Sequence, residues 1–136
     1  MGLKVIFYSL IVIFIILALY VFFPSPDCVK TFFFPVIAFL GILFFILGIA
    51  LVVLSWKLKG KIRFYFILTG ASVFCILIFA ILHNLVYGLF ILLFGEGFWG
   101  NGGDEPVFFI LAVIVCPILF IIGAVKSFIL LRKKKK

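Results

Sequence analysis

His83 and Asn84 stand side by side in a run that is otherwise almost wholly apolar from Phe64 to Phe94. Ionisable and polar groups inside a membrane-spanning segment are costly, which makes this pair the first candidate for chemistry. Asp104 and Glu105 open the next apolar run, and an antiparallel neighbour would bring them level with the pair. Imidazole and carboxylate can share a proton or a cation, so His83, Asn84, Asp104 and Glu105 form a candidate polar or cation site. The same four residues read equally as interhelical glue, a hydrogen-bonded link between two helices in lipid. A metal centre needs three or four ligands, and one histidine with scattered acids is an incomplete set, so neither metal nor cofactor is expected. No nucleophile–base pairing or phosphate loop is present, and the chain does not read as an enzyme.

The elements that position these residues follow from composition. The 136 residues are 68% hydrophobic and only 12% charged, with mean hydropathy +1.56, far from the balance of a soluble domain. Lipid is the expected solvent and the fold class is all-α, an integral membrane bundle of four transmembrane helices in a single domain, 1–136. Apolar runs place the spans at about 5–23, 32–56, 64–84 and 106–131. The first is too long for a signal-peptide core and lacks a cleavage site, so it reads as a retained helix. Pro35 falls in the first turn of the second, and Trp56 marks its headgroup end. The third run continues to Phe94, about 46 Å if helical throughout, which exceeds a bilayer core. Either that helix tilts or projects, or residues 85–94 lie along the interface. Counted from Phe64, His83 lies about 28 Å along a straight helix, near the outer boundary. Asp104-Glu105-Pro106 reads as a helix start, with acids at the positive dipole end and proline at the first position.

Orientation follows from the cations. Of twelve Lys and Arg, only Lys30 falls in the loops assigned outside, whereas Asp27, Glu96, Asp104 and Glu105 all do. Both termini are therefore expected in the cytoplasm. Lys57, Lys59, Lys61 and Arg63 in one loop, with Arg132, Lys133, Lys134, Lys135 and Lys136 at the end of the chain, would meet anionic headgroups of the inner leaflet. Lys126 is expected to snorkel to the same interface. The net charge of +8 thus points to the membrane surface, and nucleic acid is excluded as a partner: twenty-one phenylalanines are lipid-facing bulk rather than a base-stacking platform.

Helix contacts should run through small residues: Gly41 and Gly48 share a face of the second span, and Gly70-Ala71-Ser72 form a patch on the third. Such packing suits a homo-oligomer or a membrane-protein partner as well as the chain's own bundle. Cys75 and Cys116 count to mid-span and could face each other as buried structural thiols, while Cys28 completes an odd set without metal spacing. Pro117 is expected to disturb the fourth helix. The pattern K-x-x-F-Y recurs at Lys4–Tyr8 and Lys61–Tyr65, and Phe45–Gly48 matches Phe120–Gly123, as two tandem helical hairpins would produce. Chance in so Phe- and Ile-rich a chain produces it too. His83-Asn84, then Glu105-Pro106-Val107-Phe108-Phe109, Pro117 and Gly123 resemble a family of small, uncharacterised prokaryotic four-span membrane proteins. That resemblance covers about the last third of the chain and supports the architecture only, with no activity; the Ile-, Phe- and Lys-rich wording points to a prokaryotic cell membrane.

Overall fold

In a computed structural model the residues 2–23, 26–100 and 103–133 are described, and they form four helices: α1 (Leu3–Phe22), α2 (Asp27–Ser55), α3 (Lys61–Phe94) and α4 (Pro106–Lys133). Each is long and apolar enough to cross a membrane, and the chain is a multi-pass membrane protein. Two boundaries differ by more than a turn from the hydropathy reading. α2 begins five residues earlier than expected, at Asp27, because Pro26 presets the entry and the Asp27 carboxylate favours the first turn. Pro35 therefore sits in the helix interior rather than in its first turn. α3 runs unbroken through residues 85–94, so the long run is one helix of 34 residues, about 51 Å, and not a span followed by an interfacial segment. Its start is set by Gly60, at φ +77° and ψ −163°, a backbone region that glycine alone enters cheaply.

Lipid offers no hydrophobic drive between helices, so their association depends on close van der Waals approach. α3 is the central helix, packed against both α2 and α4, and α1 packs on α2. Both approaches to α3 use glycine. A Cβ on Gly70 would lie 2.6 Å from the Gly48 carbonyl oxygen, and one on Gly123 would lie 2.6 Å from Thr69 Oγ1. Two neighbouring residues of α3, Thr69 and Gly70, thus receive α4 and α2 at one level, about 100° apart around the helix. Gly41, by contrast, has nothing within 4 Å of its would-be Cβ and takes no part in the crossing. Hydroxyls at the contacts bond within their own helices: Thr69 Oγ1 donates to the Tyr65 carbonyl at 2.8 Å and Ser72 Oγ to that of Leu68 at 2.7 Å. The Ser127 hydroxyl is buried without a partner among the described residues.

The chain folds as two hairpins, α1–α2 and α3–α4, and of the residues matched between them Phe7 is fully buried where Phe64 is 63% exposed, whereas Gly48 and Gly123 both pack closely on α3. The hairpins join tightly at the end holding residues 2–5, the 56–60 loop and Arg132, here the basic end. Ile6, Phe7, Leu10, Leu51 and Phe66 form its core, with Phe7 edge-on to Phe66 at 5.1 Å. At mid-height Phe14 stacks on Phe120 at 4.4 Å, with Phe44 beside both. Toward the opposite, acidic end the hairpins diverge and leave an apolar cavity. α4 passes that level through a π turn, Leu111–Val115, in which the Cys116 N–H donates to Leu111 O. Pro117 has no N–H for Val113 O and its ring crowds that carbonyl, and a widened turn accommodates both without ending the helix. Cys116 lies near Cys75 across the α3–α4 contact, and both are free thiols.

Gly70→Ala is expected to cost about 1–3 kcal/mol, because the atom met is backbone and cannot rotate away. Gly41→Ala is expected to be neutral or stabilising. Reversible denaturation of both variants in mixed micelles checks the contrast.

Candidate functional site

The site is built from the start of α4 upward. Glu105 is the N-cap residue, and its carboxylate accepts from Val107 N at 2.8 Å and Phe108 N at 2.9 Å, with Pro106 supplying a first position that needs no acceptor. Asp104 Oδ1 accepts from Glu105 N at 2.8 Å, which fixes the second acid against the first. Glu105 is 4% exposed, so its charge is held by these N–H groups and by the helix dipole rather than by water. Burial pushes its carboxyl up, but the N–H groups of Val107 and Phe108, the His83 side chain and the Phe109 N–H outweigh that and hold it below the ordinary value of 4.5.

α3 delivers His83 to the same level. Its Nδ1–H donates to the Glu105 carbonyl oxygen at 3.0 Å, with Glu105 Oε2 at 3.3 Å from the same nitrogen. A carbonyl can only accept, so Nδ1 carries the proton. Nε2 on the far side of the ring lies 3.4 Å from Asp104 Oδ2, an ion pair when the imidazole is charged. Phe109 flanks the ring at 5.6 Å. The two carboxylates meet different nitrogens of one imidazole, Glu105 at Nδ1 and Asp104 at Nε2. Among the described residues no set of three or more His, Cys, Asp or Glu is arranged to hold a metal.

His83, Asp104 and Glu105 are therefore brought together, and Asn84 is not. Its side-chain N–H donates to the Ala80 carbonyl of its own helix at 2.8 Å, one turn back and away from α4. The Gly-rich turn after α3 contributes a contact that hydropathy did not indicate. Gly95, at φ +87°, ends the helix and turns the chain back so that Trp99 stacks on Tyr87 at 6.0 Å and donates from Nε1 to the Tyr87 carbonyl at 3.3 Å. A tryptophan within so many glycines was the available signal, because only an anchored ring gives such a loop a fixed path. At the basic end Lys57, Lys59, Lys61, Arg132 and Lys133 are exposed and Arg63 is half-buried, with Arg132 over the Phe128 ring at 4.7 Å. Among the described residues none of them has a carboxylate partner. Lys134, Lys135 and Lys136 lie outside the described residues.

His83→Ala is expected to destabilise the α3–α4 pairing by about 0.6–1.7 kcal/mol, the range of polar interhelical contacts in membranes, while Asn84→Ala stays near neutral; denaturation in bicelles separates them. Glu105 is lowered in the folded state, so its contribution is complete above the ordinary carboxylate value and is lost as pH falls through the depressed folded value. The melting temperature of the wild type should drop on acidification below that ordinary value. Glu105→Gln should start lower and lose this part of the acid slope.

No family model, curated protein or solved structure matches the chain, and its function is read from its own residues.

Proposed function

We propose that this is a non-enzymatic multi-pass protein of a prokaryotic cell membrane, inserted with both termini in the cytoplasm, that works by assembling in the bilayer with a second copy or with a membrane-protein partner. One observation carries the reading: five polar side chains of α3 and the start of α4 are committed to helix backbone. Glu105 caps α4, His83 ties it to α3, and Asn84, Thr69 and Ser72 bond their own backbones. The orientation is supported by the exposed cations gathered at one end, which suit an anionic cytoplasmic leaflet. Assembly is supported by unequal helix lengths. α1 has 20 residues, whereas α2 has 29 and α3 has 34, and α3 continues about 16 Å past His83 with Leu92, Leu93 and Phe94 exposed. Apolar length in excess of the hydrocarbon core is relieved by tilt or by association with other helices.

A second reading, movement of a proton or cation, is favoured by the exposed Asp104 carboxylate facing His83 Nε2. Purification from membranes in a mild detergent, with mass and metal analysis, tests the first. An oligomer of defined size, or a stoichiometric second protein as expected of an accessory subunit, is the expected result. A monomer at every concentration, together with proteoliposome proton or cation flux that His83→Ala abolishes, would overturn assembly in favour of transport.

A further inference from the structure

We infer that the cavity between the diverging hairpins is a binding site for one acyl chain of a membrane lipid whose headgroup carries an amine. The inference goes beyond the assembly reading and does not depend on it. The cavity is about 590 Å³, within the range of pockets that hold small molecules, and all four helices line it. Its floor is the mid-height aromatic layer, Phe14 and Phe44. Its walls include Ala18 and Val21 of α1, Ile76 and Ala80 of α3, and Val113 and Ile114 from the π turn of α4. From Phe14 to Phe22 the depth is about 12 Å, a large part of one leaflet of a ~30 Å core. Among the described residues no ionisable side chain lines it, so it suits hydrocarbon and not an ion or water.

What stands above the cavity selects the occupant. Ala80 at its rim is three residues, about 5 Å along the axis, below His83. The His83 cluster therefore sits where the headgroup of a lipid with its chain in the cavity would lie. Glu105 is buried and committed to its cap, but the Asp104 side chain is 57% exposed and presents a carboxylate there. The acids of the chain gather at this end, and its cations, Lys30 excepted, lie elsewhere. A phosphate-only headgroup would meet like charge, whereas an ammonium group can pair with Asp104.

Gly41 makes the test clean, because it lines the cavity and its would-be Cβ meets nothing within 4 Å. Gly41→Leu and Ala80→Leu fill the space without touching the glycine crossings. The full chain, reconstituted in vesicles of equal phosphatidylethanolamine and phosphatidylglycerol and then released into mild detergent, would be weighed intact by native mass spectrometry. The wild type should retain about one phospholipid per chain, with at least threefold preference for the ethanolamine headgroup. Each filling variant should lower retention at least fivefold while melting no lower than the wild type, so either one serves if the other fails to fold. Asp104→Asn should keep the lipid and erase the headgroup preference. Equal retention in the wild type and a folded filling variant overturns the site, and equal retention of the two headgroups by the wild type overturns the amine assignment.

Discussion

The backbone of α3 is approached from two sides at one level, and the rest of the structure hangs on that double contact. Thr69 and Gly70 receive Gly123 and Gly48, so three helices meet where side chains are nearly absent. In water such a meeting would be one contribution among many. In lipid, where a leucine gains nothing by leaving the solvent for a neighbour, it is the chief means by which helices gain contact. α1, which has no share in it, joins through rings instead, Phe7 against Phe66 and Phe14 against Phe120.

A single level of tight contact near the basic end leaves the far end free to diverge, and the polar groups are placed where divergence would otherwise separate α3 from α4. His83 and Glu105 close that seam some 21 Å along α3 from Thr69. The Trp99–Tyr87 clip holds the returning loop against α3 still further out. Within the first hairpin the Tyr20 hydroxyl donates to the Lys30 carbonyl and binds α1 to α2. The cavity is the remainder of this arrangement: two hairpins fastened internally along their length and to each other along half of it.

Much of this was legible in the residues and some was not, for physical reasons. Apolar runs announce spans because a backbone in lipid must bond to itself, and four helices follow directly. The meeting of His83 with Glu105 was readable by counting rises along two antiparallel helices. Asn84 was indistinguishable from its neighbour by sequence, because whether an amide turns to its own helix or across depends on azimuth, which hydropathy does not carry. Gly41 and Gly48 share a face, yet only Gly48 lies at the level of the crossing. The early start of α2 was hidden because a proline in the interior usually marks an end, and Pro35 suggested one. The π turn and the cavity follow from the relation between hairpins, which no local pattern encodes.

The π turn also sets a phase. One residue added to a turn advances everything beyond it by about 100° around the axis relative to an unbroken α-helix. The residues on the basic side of Leu111–Val115 direct Cys116, Phe120, Gly123 and Ser127 toward their neighbours, and those on the acidic side direct Glu105 toward His83. With a regular ladder, a helix that kept the first set in place would carry the capping carboxylate about a quarter-turn around its circumference. The irregularity beside Pro117 is thus the clocking element that lets one helix serve two differently oriented faces.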